Sequence, residues 1–429
     1  MKLLRIVALA IPAIFAQAWA QTPDHWVSTW ATSPQQPRTF TPPRRPAAAP
    51  ATSARPNPAL PVPIASFHDQ TIRMIAHTTI GGSRVRIELS NAFGSTPLVV
   101  GSAHLALREK DSAIVPASDR PLTFSGRPSC WIPPGATEIS DPVNLEVPSE
   151  GDMAVSIYIP DETKVDTMHS VGLHTTYISK GDATGQAALG EATTNQSYYW
   201  LANIDVAAAA DTAAIVTFGD SITDGATSTP DTDRSWPSFL ARRLAAQGAT
   251  NIAVLNQGIS GNRLLRDGAG VNALARFDRD VLSQPGVRWM TILEGINDIG
   301  FMSLPGASAS DAVTADELIG ALKQLIERAH EHGIRVIGGT LTPYEGSLYY
   351  SEAGERMREQ VNQWIRTGGA FDAVIDFDAV TRDPEHPKRI RPGFNKTDHL
   401  HPNDAGYEAM ADAIDLSVFG LKSRSTSSR

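Results

Sequence analysis

The sequence predicts two folded domains, an antiparallel β-sandwich over residues 21–205 followed by an α/β domain with a parallel sheet over residues 206–421. At 429 residues, the chain is longer than one compact domain usually is. Short stretches of alternating polar and apolar residues fill positions 65–205, which is typical of a sandwich. From residue 206 onward, strand-like runs alternate with helical patterns, which predicts a parallel sheet with helices on both faces.

The composition excludes some classes of partner and one kind of crosslink. A net charge of −9 and a pI of about 5.7 argue against nucleic acid or an anionic membrane surface as the main partner. Cys130 is the one cysteine in the sequence, so no internal disulfide can form. Because no histidine lies near it in the sequence, we interpret Cys130 as a small buried residue rather than a nucleophile.

The first 20 residues have the features of a secretory signal peptide. Lys2 and Arg5 give a positive start, residues 6–15 form a short apolar core, and Ala18-Trp19-Ala20 is a cleavage site of small residues. No later apolar run reaches the length of about 18 residues that a membrane-spanning helix needs. We therefore expect a mature chain that begins near Gln21 and is periplasmic or extracellular.

The β domain is predicted from strands at 25–32, 71–80, 84–90, 98–107, 144–147, 153–159 and 173–179. Gly81-Gly82, between the second and third of these, is typical of a tight hairpin turn. Residues 33–64 are rich in Pro, Ala and Arg and are predicted to form a loop without regular structure. The histidines of this half are isolated along the sequence and form no catalytic cluster, which favours packing or surface roles: His68, His77, His104, His169 and His174.

The α/β domain is predicted to follow a short linker of small residues at 207–210. Its strands are expected at 213–218, 251–256, 289–293, 335–339 and 373–377. Its helices are expected at 235–246, 271–282, 315–332, 352–367 and 403–419. The Ser- and Arg-rich tail at 422–429 is predicted to be disordered.

The first strand of this domain ends in Gly219-Asp220-Ser221, where an apolar run stops at a tight turn. This arrangement places the hydroxyl of Ser221 at the carboxyl edge of the sheet, where α/β proteins bind ligands. Two interpretations follow from this stretch alone: Ser221 is a nucleophile, or it caps the following helix.

A nucleophilic serine requires a base, a group that orients the base, and donors for the oxyanion. Asp398 lies three residues before His401, so a short turn can bring its carboxylate to the imidazole. Gly261 and Asn297 follow two other predicted strands and can offer an N–H group and a side-chain amide. The alternatives are ordinary turns, surface residues or half of a metal site, but no HExxH motif or second histidine cluster accompanies them.

Four short blocks resemble, in order, those of the SGNH (GDSL) hydrolases: Gly219-Asp220-Ser221, Ile259-Ser260-Gly261-Asn262, Gly295-Ile296-Asn297-Asp298 and Asp398-His399-Leu400-His401-Pro402. The resemblance covers about residues 212–419. It implies a flavodoxin-like three-layer fold and hydrolysis of esters or thioesters without a metal or cofactor. It also implies Ser221 as nucleophile, His401 as base and Asp398 as its orienting group. The oxyanion donors would be the N–H groups of Ser221 and Gly261 and the Asn297 side chain.

The first half also resembles exported bacterial members of this family that carry an additional β domain, some of them similar to an esterase encoded beside xylanases. The residues that carry this resemblance are Trp26-Val27-Ser28-Thr29-Trp30-Ala31-Thr32-Ser33 and Leu89-Ser90-Asn91-Ala92-Phe93-Gly94. It implies an ester substrate that is a plant polysaccharide or a small molecule such as a short-chain or aryl ester. Five aromatic residues are candidates for lining that site: Trp236, Trp289, Tyr344, Tyr349 and Tyr350. Of these, Trp289 lies on a predicted core strand and is expected to pack there, whereas Tyr349 and Tyr350 lie in a loop that can reach the cleft.

Other functions remain open at this stage. A polysaccharide O-acyltransferase or a lipase- or lysophospholipase-type acylhydrolase would use the same residues, and a carbohydrate-binding protein without catalysis would use the β domain alone. The segment 268–273 matches G-x-G-x-x-A, but it follows a polar stretch rather than a buried strand, so we interpret it as a loop beside the active site.

Overall fold

A computed structural model describes residues 24–37, 64–304 and 306–421 of the chain. The predicted signal peptide, most of the Pro-rich segment and the tail at 422–429 lie outside the described residues. No helix within the described ranges has both the length and the apolar character that crossing a bilayer would demand. Two regions differ in architecture: a β region (residues 24–37 and 64–208) and an α/β region (residues 209–421).

The α/β region is built on one parallel sheet of five strands, as predicted. In spatial order its strands are Ile252–Gly258, Ala213–Gly219, Val287–Leu293, Arg335–Gly339 and Ala373–Ile375. Every residue of Ala213–Gly219 is buried, which is expected of an inner strand covered on both faces. The chain order 2-1-3-4-5 is that of flavodoxin-like sheets, in which ligands bind at the carboxyl edge near the first strand.

The five predicted helices are present, two of them with different ends, and the structure has three further short helices that were not among the predicted ranges: Ser221–Asp224, Ile296–Phe301 and Phe377–Thr381. The α-helices are Ser221–Asp224, Trp236–Ala246, Ala273–Phe277, Ile296–Phe301, Ala315–Glu331, Glu352–Thr367, Phe377–Thr381 and Asp404–Asp412. The predicted helix 271–282 changes to a π-helix at Asp278–Leu282, and the predicted helix 403–419 ends at Asp412, before a 3₁₀ turn at Leu416–Phe419. Strand Ala373–Ile375 is shorter than predicted because Asp376 caps the helix that follows.

The β region consists of antiparallel strands in two main sheets and three short ladders, and it contains one 3₁₀ turn, Pro116–Ser118. The five-stranded sheet contains His25–Ala31, Gly82–Ser90, Thr137–Ile139, Val143–Val147 and Leu201–Ala208. The seven-stranded sheet contains Gln70–Thr78, Ser102–Lys110, Ala113–Ile114, Arg120–Pro121, Gly151–Ile159, Thr176–Lys180 and Thr193–Asn195. The ladders pair Ser66–Phe67 with Thr163–Lys164, Met168–His169 with Tyr198–Tyr199, and Leu98–Val100 with Cys130–Ile132. The antiparallel character is confirmed, and the sandwich arrangement stays a prediction.

The hairpin predicted at Gly81-Gly82 is wrong. Strands Gln70–Thr78 and Gly82–Ser90 belong to different sheets and do not pair with each other. Neither glycine has the positive φ that a two-residue hairpin turn requires. Both are instead needed where the chain crosses between sheets, because a Cβ at Gly81 would lie 2.7 Å from the carbonyl oxygen of Val147, and one at Gly82 would lie 2.7 Å from Cβ of Val206.

The sequence reading missed strand Leu201–Ala208, which connects the two regions. It pairs with both His25–Ala31 and Gly82–Ser90, and it extends into the residues predicted to form a linker. The first strand also reaches the α/β region, where the N–H of Ser28 donates to the carbonyl of Pro285. Thr79 accepts a hydrogen bond from the N–H of Val254, so the β region covers the edge strand of the parallel sheet.

Candidate active site

The structure places Ser221 directly after strand Ala213–Gly219, as the first residue of a short helix. Asp220 caps this helix by accepting a hydrogen bond from the N–H of Ile222, so the capping role belongs to Asp220 rather than to Ser221. The turn is tight, since a Cβ at Gly219 would lie 2.5 Å from the carbonyl oxygen of Leu293. These contacts hold the Ser221 hydroxyl at the carboxyl edge of the sheet.

His401 and Asp398 form a continuous chain of hydrogen bonds with Ser221. Nε2 of His401 lies 2.8 Å from Oγ of Ser221, and its Nδ1 lies 2.6 Å from Oδ2 of Asp398. The other carboxylate oxygen of Asp398 accepts the N–H groups of Leu400 and His401, both at 3.0 Å. Burial alone would raise the pKa of Asp398, but its hydrogen bonds with His401 and these N–H groups lower it to about 2. The carboxylate is therefore ionised and fixes the orientation of the imidazole.

Asn297 and Gly261 lie at the ends of the two strands that flank the first one. The Oδ1 atom of Asn297 accepts a hydrogen bond from the Tyr349 hydroxyl at 3.1 Å, and the other terminal atom is the amide nitrogen, because it faces a carbonyl oxygen that can only accept. That nitrogen donates to the carbonyl of Asn262 at 2.9 Å and keeps a second hydrogen. Gly261 has a φ of 79°, a conformation that suits glycine. The five predicted site residues thus come together at one edge of the sheet.

Asp224 connects the loop of Gly261 to the β region. Its Oδ2 accepts hydrogen bonds from the N–H of Ser260 at 2.9 Å and from the Ser260 hydroxyl at 2.5 Å. Its Oδ1 lies 3.0 Å from Nε2 of His169, whose Nδ1 lies 2.9 Å from the carbonyl oxygen of Ser33. All three side chains, Asp224, Ser260 and His169, are buried. A histidine from the β region therefore supports the loop that offers the Gly261 N–H, a role that its isolated position in the sequence does not suggest.

Arg276 is a second supporting residue that the sequence reading missed. Its fully buried guanidinium donates to the carbonyls of Gly219 and Gln257 at 2.9 and 2.8 Å, and to Oδ1 of Asn262 at 2.8 Å. Asp280, also buried, is its ion-pair partner at 3.0 Å. One cation therefore ties together the ends of two strands and the loop after the second. The one signal in the sequence is an arginine among the apolar residues of a predicted helix.

Three acidic side chains lie behind the site: Asp220, Glu294 and Asp298. Burial raises the pKa of all three, and their mutual repulsion raises that of Glu294 further. A buried carboxyl group with a raised pKa tends to hold its proton. This favours the neutral form of Glu294, whereas Asp298, with a pKa raised only to about 6 and hydrogen bonds from the N–H groups of Leu264 and Leu265, is mostly ionised at neutral pH.

The aromatic residues predicted to line the substrate site are mostly in the core, which corrects that prediction. Trp236 packs against Phe377 and Trp289 against Phe419, and both tryptophans are buried. Tyr344 is fully buried between Tyr349 and Tyr350. Trp236 lies at the start of helix Trp236–Ala246 and Trp289 on an inner strand of the sheet, and both pack into the core, whereas Tyr344 is buried in a loop.

The loop at 344–350 nevertheless borders the site. A Cβ at Gly346 would lie 3.0 Å from Cγ of His399, so this loop contacts the one that carries Asp398 and His401. Leu348, at its tip, is 81% exposed. The segment at 268–273 lies on the other side, where the carbonyl of Val271 accepts a hydrogen bond from the side chain of Asn262. Each of these loops therefore contacts a loop that carries predicted site residues.

Comparison with known proteins identifies the α/β region. Residues 217–409 match the GDSL-like Lipase/Acylhydrolase family. An acetyl xylan esterase of Geobacillus stearothermophilus, solved as a variant, is 24% identical over 49% of this chain and 97% of its own, with a TM-score of 0.39. A GDSL-like lipase of Bacteroides thetaiotaomicron is 19% identical over 48% of this chain and 88% of its own, with a TM-score of 0.36. A search of curated protein sequences gives no match.

Proposed function

We propose that this chain, a hydrolase whose residues 217–409 form a domain of the GDSL-like Lipase/Acylhydrolase family, is an exported serine esterase that cleaves carboxylic esters through an acyl-enzyme. The observation that carries the proposal is the chain of hydrogen bonds from Asp398 through His401 to Ser221. Export rests on the signal-peptide pattern of residues 1–20.

In the proposed mechanism, Oγ of Ser221 attacks the ester carbonyl while Nε2 of His401 takes its proton. The negative charge that develops on the carbonyl oxygen is stabilised by the N–H groups of Ser221 and Gly261 and by the free N–H of the Asn297 side chain. His401 then protonates the leaving alcohol. A water molecule that gives its proton to His401 hydrolyses the acyl-enzyme and releases the acid and the free serine.

The exposure of the site supports a short acyl group on a large alcohol. The side chains of His401 and Asp398 are 18% and 43% exposed, so the proposed base lies near the surface, while Ser221 itself is 5% exposed. A long acyl chain gains affinity from an enclosed apolar pocket, whereas an acetyl group needs little enclosure. We therefore favour acetylated polysaccharides or short-chain esters over long-chain lipids.

A fluorophosphonate probe tests the nucleophile. We expect the wild-type protein and a Ser283→Ala control to be labelled, because Ser283 is exposed and bonded only to the Arg279 carbonyl. We expect no labelling of Ser221→Ala. Labelling that persists in Ser221→Ala, or a wild-type protein that does not react, would show that Ser221 is not the nucleophile.

The substrate class is tested with p-nitrophenyl esters of increasing acyl length beside acetylated xylan. We expect kcat/KM to be highest for acetyl and to fall for chains longer than about four carbons, because a site that is open at His401 and Asp398 gives a long chain little enclosure. Release of free acetate identifies a hydrolase, and transfer of acetyl groups to an added polysaccharide acceptor identifies an acyltransferase. A maximum at long chains would favour the lipase-type alternative.

A further inference from the structure

A cluster of histidines and carboxylates lies between the two regions, away from Ser221. His77 and Asp152 face each other across paired strands of the β region, and Asp233 reaches them from the loop between helices Ser221–Asp224 and Trp236–Ala246. One ligand-type atom of each of these three residues lies within 4.8 Å of the other two. Nδ1 of His77 is 2.7 Å from Oδ1 of Asp152 and 3.4 Å from Oδ2 of Asp233.

We propose that His77, Asp152 and Asp233 bind a first-row divalent metal ion, of which Zn²⁺ fits the ligands best. Imidazole and carboxylate groups are the usual ligands of Zn²⁺ in proteins, at 2.0–2.2 Å from the ion. Ligands at that distance in a tetrahedral site lie about 3.3 Å apart, close to the His77–Asp233 separation of 3.4 Å. The His77–Asp152 pair would open by about half an ångström to receive the ion.

The buried side chain of His174 distinguishes this cluster from a group of acidic residues on the surface. Its side chain is 8% exposed, and its Nε2 lies 2.8 Å from Oδ1 of Asp233, on the carboxylate oxygen that does not face His77. This is the arrangement by which a second residue orients a metal-binding carboxylate. The other ring nitrogen of His174 is buried without a hydrogen-bond partner and lies 3.8 Å from Oδ1 of Asp231.

The negative charge of the four carboxylates around this cluster also favours the binding of a cation. Four carboxylates face the two histidines: Glu150, Asp152, Asp231 and Asp233. Arg108 balances Asp152 at 2.9 Å, and Glu150 keeps a buried carboxylate oxygen without a partner. A proton on His77 is the competing occupant of this negative site, and the experiment below distinguishes it from a metal.

The ion would act as a structural clamp. The loop that carries Asp233 also reaches the loop of His401, because the Thr227 hydroxyl donates to the Pro402 carbonyl at 2.7 Å and Thr229 donates to Asp404. A metal held by His77, Asp152 and Asp233 would therefore join the β region to the segment that supports the proposed base. We assign the ion this structural role and no step of the reaction.

The test uses the mature protein, stripped with EDTA, transferred to chelator-free buffer and then incubated with Zn²⁺ or Co²⁺. We expect one Zn²⁺ per chain to remain after gel filtration, visible absorption bands with Co²⁺, and a higher melting temperature with either ion. In His77→Gln and Asp233→Asn, we expect no retained metal and no shift in melting temperature. In His174→Gln we expect a 10- to 100-fold loss of affinity, because His174 only orients a ligand.

The matched control is His104→Gln, since His104 forms a single ion pair with Asp119 in the same region and has no third ligand. It should retain the metal like the wild type. Fluorophosphonate labelling of each variant shows that it has folded. If wild-type protein retains no Zn²⁺ and gains no stability from Zn²⁺ or Co²⁺, the cluster is a protonated ion-pair network and the proposal is wrong. Retention by His77→Gln and Asp233→Asn at wild-type level would also overturn it.

Discussion

The two regions of the molecule make different contributions to one site. The α/β region supplies every atom that the proposed reaction uses, namely those of Ser221, His401, Asp398, Gly261 and Asn297. Among the described residues, no hydrogen bond or ion pair joins the β region directly to these groups. It acts through buried side chains that hold the loops around them, such as His169 on Asp224.

This difference shows why the β region packs against the edge strand next to the nucleophile rather than hanging from a linker. Loops at the carboxyl edge of a parallel sheet are held by few contacts of their own. Here the loop of Ser260 is held by Asp224, which is itself held by His169. The β region therefore fixes the positions of the loops around the site. Substitutions in each region can separate this positioning from the chemical steps.

The largest effect is expected from the groups that react. Ser221→Ala and His401→Ala should each lower kcat by roughly 10⁴-fold or more, and the double variant should be no worse than the single ones, because the triad works as a unit. Steady-state kinetics on p-nitrophenyl acetate measures this. Fully additive losses would mean that the two residues act independently. The α/β region would then not supply a catalytic triad that works as a unit.

Removal of the side-chain oxyanion donor should have the next largest effect. Asn297→Ala is expected to lower kcat by about 10²–10³-fold with little change in KM, because the lost hydrogen bond forms only as negative charge develops. A loss that falls on KM alone would mean that Asn297 binds the substrate rather than the transition state.

Breaking the link from the β region tests whether order matters for catalysis. His169→Gln removes the imidazole that contacts both buried Asp224 and the Ser33 carbonyl, so we expect roughly 1–3 kcal/mol less stability and a kcat about tenfold lower. His104→Gln is the control, because its partner Asp119 lies within the β region and both side chains are 20% exposed. If the variant is less stable but has the wild-type kcat, the β region contributes to the stability of the fold and not to catalysis.

Tyr349 offers the same test within the α/β region. Tyr349→Phe removes the hydrogen bond to Oδ1 of Asn297, and a lost bond of about 1 kcal/mol corresponds to a kcat roughly fivefold lower. Tyr350→Phe is the matched control, since its hydroxyl bonds the exposed side chain of Glu352. Equal effects from both substitutions would show that Tyr349 packs but does not position Asn297.

The smallest effect concerns pH and Asp398. Its pKa is lowered to about 2 from an ordinary value near 4, so its ionised form stabilises the fold above pH 4, and this contribution is lost as the pH falls to 2. Because the side chain is 43% exposed, we expect the contribution to be below about 1 kcal/mol. Urea unfolding of wild type and Asp398→Asn at pH 7 and pH 3 should give a stability difference that shrinks at pH 3. A constant difference would mean that Asp398 carries no charge-dependent stability.

The sequence predicted what local patterns encode. Each α/β strand, the tight turn before Ser221 and the Asp398–His401 pair is formed by residues that are close together in the sequence. Propensity, periodicity and spacing therefore reveal these features. The supporting contacts are different: His169 meets Asp224 across 55 residues, and Arg276 meets Ser33 across 243. A single histidine or arginine carries no mark of such a partner.

The same limit explains the errors in the β region. Gly81-Gly82 has the composition of a hairpin turn, but the crossing between sheets is decided by what each strand can pair with elsewhere. The alanine-rich end of Leu201–Ala208 resembles a linker in the sequence. The segment forms a strand because it pairs with His25–Ala31 on one side and with Gly82–Ser90 on the other. The aromatic residues were misplaced because composition does not tell which face of an element is buried.

The pairing of the first β-region strand with the last one has a consequence for how the chain is made. Ser28 and Asp205 are opposite each other in the sheet and are bonded side chain to side chain, yet they are 177 residues apart. At a synthesis rate of about 5–20 residues per second, His25–Ala31 waits roughly 10 to 35 seconds for its partner. The sheet therefore closes late, and pairing over such a distance is slow in itself. A β region that stays open until its end has emerged is compatible with passage through a membrane in an unfolded state.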